Sequence, residues 1–222
     1  MGKIWFTADT HFSHKRIPLY TKRKFCLTKE EQNKVDFIWY SNNGPNARWA
    51  PSWESISRMN DYLINKINEF VGKDDVLWHL GDFTFCPKNR NILDETNKII
   101  KKINCKNIFL LWGNHDNKQI SPLFKECHER YELKYKSKHI VLSHYAQAVW
   151  NKSHTGSWML YGHSHATAEN WLDSAMPERL SMDVGVDNIY RILGEYRPIC
   201  FEEIENLFKK RRGASIDNGK KS

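Results

Sequence analysis

Five stretches of this sequence end an apolar run on oxygen or imidazole donors. "KIWFTA" leads to Asp9 and His11, "DVLWHLG" to Asp82, and "NIFLLWG" to Asn114, His115 and Asp116; "HIVLS" leads to His144, and "WMLYG" to His163 and His165. A strand that only filled a core would need no such ending. Asp, Asn and His converging without Cys favour a metal site, and this mixed donor set is compatible with Mn, Fe, Zn, Co or Ni without choosing among them. Seven candidates, Asp9, His11, Asp82, Asn114, His144, His163 and His165, are too many for one tetrahedral ion. They suit two divalent ions sharing a bridging carboxylate. Such a pair binds an oxyanion, lowers the pKa of a bridging water and stabilises attacking and leaving oxygens, so phosphoryl chemistry is its natural use.

The elements that would position these donors follow from pattern. "KIWFTA", "DVLWHL", "NIFLLW", "HIVLS", "SWMLY" and "LSMDVGV" are short β-rich runs bounded by turn or polar residues. Between them, Ile56, Met59, Leu63, Ile64, Ile67, Phe70 and Val71 recur at helical spacing, as do Ile92, Thr96, Ile99, Ile100 and Ile103. Thr28 with Glu31 forms a capping-box signature for a helix running to about Tyr40, and "FEEIENLF" reads as a last amphipathic helix. The alternation predicts an α/β domain. In open α/β sheets ligands bind beyond the carboxyl ends of the strands, which is where all these donors fall. Gly81, Gly113 and Gly162, each just before a donor, fit a sharp turn or a close backbone approach.

Length and composition bound the rest. A chain of 222 residues with this apolar share can bury a full core as one domain, placed at residues 1–208. No apolar run approaches a bilayer's thickness and no signal-like segment opens the chain, so a cytoplasmic protein with no membrane partner is expected. The five cysteines are odd in number and lack CxxC spacing, which predicts reduced thiols. Of the net charge of +8, a net five lies in residues 209–222, "KKRRGASIDNGKKS", which reads as a disordered basic tail able to hold a polyanion loosely.

Taken in order, "DTH", "GDF", "GNHD", "SHY" and "GHSH" resemble the motif set of the calcineurin-like metallophosphoesterase superfamily, and span Asp9 to His165. "DTHFSH", "SHYAQAVWNKSHTGSW" and "LYGHSH" further resemble a small bacterial and phage subgroup of it. The resemblance implies a β-sandwich flanked by helices, with the metal site at one edge of the strands. It implies that Asp9, His11 and His165 hold one ion, that Asn114, His144 and His163 hold the other, and that Asp82 bridges them. His115 would be the catalytic histidine, contacting the phosphate and protonating the leaving alcohol, with Asp116 orienting nearby groups. A hydroxide bridging the ions would attack phosphorus in line, with no covalent enzyme intermediate. The substrate would be a phosphoester, phosphodiester slightly ahead of monoester, with nucleotides or nucleic-acid ends as candidates.

Other residues divide between chemistry and structure. His14 and His154 stand beside motif segments, where hydrogen bonding and substrate contact are equally supported. His79 reads as a buried supporting histidine, and His128 and His139 as surface residues. Trp39, Tyr40, Trp49 and Trp53 in the 37–53 segment read first as packing and second as a flap on which a base stacks. Lys15, Arg16, Lys22, Arg23 and Lys24 are either solvated charge or a grip on phosphate. The competing function is a non-catalytic module of the same fold, docking nucleic acid or a protein through the tail and the aromatic segment. It would have no need for His115 alongside a full ligand set.

Overall fold

The β-rich runs are strands, and alternation along them decides the layers. β1 (Ile4–Thr7), β2 (Val76–His79), β3 (Asn107–Leu111) and β4 (Cys127–His128) run parallel in the order β4-β3-β2-β1, in register Ile4↔Val76 and Val76↔Asn107. A second sheet has the order β5-β6-β7-β8, from β5 (Arg130–Tyr135), β6 (Lys138–Ser143), β7 (Trp158–Tyr161) and β8 (Ser181–Asp183). Only β5 is antiparallel in it. The computed structural model describes residues 2–41, 48–86 and 90–211.

Successive side chains point to opposite sheet faces. Ile4, Phe6, Trp78 and Leu111 of the first sheet therefore meet Ile140, Leu142, Leu160 and Met182 of the second in one buried layer. Trp5, Leu77, Ile108 and Leu110 face outward, where the short helix α1 (Ile17–Tyr20) and helices α2 (Lys29–Tyr40), α3 (Trp53–Phe70) and α4 (Ile92–Ile100) pack, the last two being those expected from helical spacing. Val141, Met159 and Tyr161 pack outward with Trp150 and with Leu172 of α5 (Glu169–Ala175). The result is the expected sandwich of two mixed sheets flanked by helices.

The capping box at α2 forms as read: Glu31 N–H donates to Thr28 Oγ1 at 3.2 Å and Thr28 N–H donates to Glu31 Oε2 at 3.1 Å. The strand expected through Val186 stops at Asp183, because Gly185 turns the chain into α6 (Val186–Leu193). The two-residue β9 (Ile199–Cys200), antiparallel on β1, is too short to leave a periodic signal, and it leads directly into α7 (Phe201–Lys209). Arg211 donates to the carbonyls of Arg179 and Ser181, so the ordered contacts reach past residue 208; residues 212–222 of the basic tail lie outside the described residues. In the aromatic segment Trp39 and Trp49 pack on the core, while Tyr40 and Trp53 are exposed and residues 42–47 lie outside the described residues. None of the five cysteines is in a disulfide. Among the described residues no helix is long and apolar enough to cross a membrane.

Candidate metal centre

Every donor expected from the sequence follows the carboxyl end of a parallel strand: Asp9 and His11 after β1, Asp82 after β2, Asn114 after β3, His144 after β6, and His163 and His165 after β7. The chain must turn sharply there to aim side chains across the strand ends. Asp9, His11, Asp82, His163 and His165 accordingly sit at φ of 56°, 47°, 56°, 69° and 47°. L-residues avoid this left-handed region, and such backbone typically costs about 1–3 kcal/mol per residue, so its concentration here marks a functional site. Gly81 has φ +101°, and a Cβ on it would strike the His144 ring; a Cβ on Gly113 would strike the backbone and carboxylate of Asp82.

The donors fall into two groups. Asp9, His11 and His165 present ligand atoms within 4.8 Å of one another, and so do Asp82, His144 and His163. Asn114 joins the second group, its Oδ1 lying 3.1 Å from His144 Nε2 and 2.9 Å from His163 Nδ1. A single atom, Asp82 Oδ2, touches both groups, at 3.4 Å from His11 Nε2 and 3.6 Å from His144 Nε2.

Hydrogen bonding shows that cations fit. Asp9 Oδ1 and both ring nitrogens of His11 are buried without a hydrogen-bond partner, a costly arrangement unless something else satisfies them. His144 Nδ1–H donates to the Leu80 carbonyl at 2.8 Å, and burial lowers the pKa of the ring. In the neutral ring Nε2 is then a lone pair facing the Asn114 and Asp82 oxygens, an acceptor among acceptors that a cation would relieve. His165 Nδ1–H likewise donates to Asp187 Oδ2 at 2.6 Å, leaving Nε2 for a metal.

Three supporting carboxylates and one arginine hold this frame. Asp116 accepts from the backbone N–H groups of Asp82, Phe83 and Gly113 at 2.8, 2.9 and 2.9 Å, tying the loops after β2 and β3 together. Asp183 accepts from Gly185 N–H, Ala166 N–H and Ser164 Oγ, fixing the loop of His163 and His165. Arg23 is fully buried: it forks onto Asp187 at 2.8 and 2.7 Å and donates to the carbonyls of Asp9 and Thr10 at 2.6 and 2.9 Å. Burial would raise Asp187, yet the charge and hydrogen bonds of Arg23 hold it at about 2. Sequence reasoning missed Asp183, which it read as part of a strand, and Asp187, and took Arg23 for surface charge or a phosphate grip. No local signal marks Asp187 or Arg23, because their partners are remote in the chain.

The remaining candidates separate cleanly. His14 lies at the site, its ring 5.4 Å from His11 and 4.3 Å from Phe85, and burial drives its pKa down to about 3. His79 is the supporting residue expected: Thr10 Oγ1 spends its proton on the Phe83 carbonyl, so it accepts from His79 Nε2–H at 2.9 Å. His128 and His139 donate to Glu126 and Glu132 near the surface, and His154 is exposed on the turn Ser153–Thr155. Lys24 pairs with Asp36 at 2.6 Å and Lys22 lies over Trp39.

The acidic cluster couples metal binding to pH. Burial, then the charges of Asp183, Asp82 and Asp187, raise the Asp9 pKa well above the carboxylate range, and burial pushes Asp183 up to about 6. These folded-state values exceed those of the unfolded chain, so their stabilising contribution is complete below the unfolded pKa of about 4 and is lost as pH rises through about 6. Burial lowers the pKa of His11, His14, His79, His144 and His163, and these rings act the other way, their contribution being present above the unfolded value of about 6.5 and lost as pH falls. Manganese, which takes deprotonated carboxylates and imidazoles, is therefore expected to raise Tm more at about pH 7.5 than at about pH 5. Thermal melts at both pH values check this; a manganese effect independent of pH would contradict it.

Comparison with known proteins agrees with the geometry. The family model for calcineurin-like phosphoesterases matches residues 2–193. The chain is 24% identical over 210 residues to an uncharacterised protein of Methanocaldococcus jannaschii, covering 95% of this chain and 93% of that one. It is 26% identical over 129 residues to the gene 66 protein of Mycobacterium phage L5, covering 58% of this chain and 46% of that one. Among solved structures, a protein of unknown function from Aquifex aeolicus superposes with a TM-score of 0.60 at 20% identity, over 93% of this chain and all of that one, a likeness of fold.

Proposed function

The chain belongs to the calcineurin-like phosphoesterase family, metal-dependent hydrolases of phosphoester bonds, and from that premise we propose a two-metal phosphoesterase with phosphodiesters slightly preferred over monoesters. Asp9, His11 and His165 would hold one ion, Asn114, His144 and His163 the other, with Asp82 between them and manganese the first candidate metal. The ions would supply an activated water at neutral pH and charge neutralisation for the phosphate. The observation that carries this reading is Asp82 Oδ2, within 3.6 Å of an imidazole nitrogen from each group.

The chain's own residues supply the rest. The backbone N–H of His115 donates to Asp82 Oδ1 at 2.9 Å, which fixes the residue beside the shared carboxylate. Its exposed ring lies 5.4 Å from the His11 ring, close enough to meet a phosphate held between the groups and to give a proton to the departing alcohol. Asp116 holds the turn carrying His115 against the loop of Asp82, so the acid and the shared carboxylate move as one body.

Metal analysis and hydrolysis of a chromogenic phosphodiester beside the matching monoester test the proposal. Manganese-loaded protein is expected to hold two ions and to cleave the diester faster, and Asp82→Asn to lose affinity for both ions. Protein with two ions bound that cleaves neither ester would refute it.

A further inference from the structure

The side of the site next to His115 continues into a face that the phosphoesterase reading does not use. His14, Lys15 and Arg16 follow His11 in the chain and are partly exposed. The His14 ring lies 4.3 Å from Phe85 and 6.0 Å from Tyr20, and Phe85 lies 5.9 Å from His115. Phe85 and Tyr20 keep 36% and 38% of their surface in water although both are large apolar rings. Lys15 Nζ then stands 5.1 Å from the Trp53 ring, with Arg90 at 5.2 Å from the same ring and Trp53 itself 41% exposed. Trp53 opens a groove of about 270 Å³ between α3 and α4, lined among others by Ser13, Asn60, Arg90, Lys98 and Lys102.

Two features give this face a chemical preference. Its cations outnumber its carboxylates: Glu95 alone serves both Lys98 at 2.7 Å and Arg90 at 3.4 Å, Lys102 pairs with Asp61, and Lys15 adds its charge over Trp53. Trp53 is set between Lys15 and Arg90, and Tyr20 carries Arg16 at 4.9 Å, while Phe85 and His14 meet edge to face beside them. Alternating aromatic faces and positive charge is the arrangement that binds single-stranded nucleic acid, where bases stack on rings and phosphates meet Lys or Arg without regard to sequence. A protein partner would favour a continuous apolar centre instead.

We propose that the face running from His14 and Phe85 past Trp53 to the groove of Arg90, Lys98 and Lys102 is a subsite for the leaving strand of a single-stranded nucleic acid. The base next to the cleaved bond stacks at Phe85 and His14, and the following phosphate lies toward Trp53 and the basic groove. The strand so placed leaves on the His115 side, where its oxygen takes up a proton. Ser13 is braced for this: its N–H donates to Asn60 Oδ1 at 2.9 Å and its Oγ accepts from Asn60 Nδ2 at 3.1 Å, joining the loop of His11 to α3.

The inference rests on the phosphoesterase reading for turnover but not for binding, so two measurements separate them. In the first, fluorescence anisotropy follows a labelled thymidine octanucleotide with chelator-treated full-length protein. Binding that weakens steeply with salt, and weakens about fivefold or more in Phe85→Ala and in Lys98→Ala/Lys102→Ala, is expected. In the second, manganese-loaded protein cleaves the octanucleotide, a dinucleotide and a nitrophenyl diester. The ratio of kcat/KM for octanucleotide over nitrophenyl diester is expected to fall by about tenfold in the same variants; damage to the fold or metal site would lower both terms together. Binding without cleavage of any ester would uphold the subsite and sink the enzyme reading. Cleavage of the nitrophenyl diester without oligonucleotide binding, or with that ratio unchanged in the variants, would overturn the subsite.

Discussion

With His115 replaced by alanine, turnover of a phosphodiester that releases an alkyl alcohol is expected to fall by about 10²–10⁴-fold. The loss should be much smaller for a nitrophenyl diester, because nitrophenolate leaves without a proton while an alkoxide does not. The metal centre should survive: His115 engages Asp82 through its backbone N–H, which alanine retains, and its ring belongs to neither donor group. Comparing kcat for the two leaving groups, at matched metal content, reads the acid directly. Equal losses for both would assign His115 to phosphate binding rather than to proton transfer.

Disrupting the Arg23–Asp187 pair should produce the second large effect, and it acts through His165 rather than on the substrate. Removing either partner leaves a buried charge unpaired, which typically costs about 3–5 kcal/mol of stability. Arg23→Met and Asp187→Leu are each expected to lower Tm sharply, while the double variant, with an apolar pair in the same space, should recover much of it. Metal binding should not recover with it. Asp187 sets the His165 tautomer that leaves Nε2 free, and Arg23 clamps the carbonyls of Asp9 and Thr10, so both changes strike the Asp9, His11 and His165 group. Loss of such supporting partners commonly lowers metal affinity about 10–100-fold. Titration with manganese, read by electron paramagnetic resonance, should show one weakened site and one unaffected site in the double variant. If affinity recovers together with Tm, the pair serves the fold alone.

Much of the architecture was legible because it rests on short bounded apolar runs and on helical spacing. "KIWFTA" and "HIVLS" read as strands because turn or polar residues bound each run, and Met59, Leu63 and Ile67 repeat as one helix face must. Which face each strand residue takes was not legible, since Ile4, Trp5 and Phe6 are all apolar. Thr28 and Glu31 announced the start of α2 because a capping box needs only four residues of chain. β5 was missed: in Arg130–Tyr135 the polar residues face solvent and the others are only half-buried, so no apolar run forms. β9 was missed because two residues carry no period.

The sequence by itself determined the candidate donors and the order in which strands deliver them, since Asp9, His11, Asp82, Asn114, His144, His163 and His165 each follow a recognisable strand. Residue type constrains coordination chemistry, and strand ends constrain where it can happen. Only the tertiary structure decided that one oxygen of Asp82 lies between two imidazoles, that Asn114 faces a lone pair on His144, and that Arg23 is a buried clamp rather than a surface charge. Arg23 and Asp187 are 164 positions apart in the chain and meet at 2.7 Å. An arginine's composition is the same in water and in a core; its role is set by which carboxylate and which carbonyls surround it, and those neighbours exist only once the sheets have paired and the helices have closed over them.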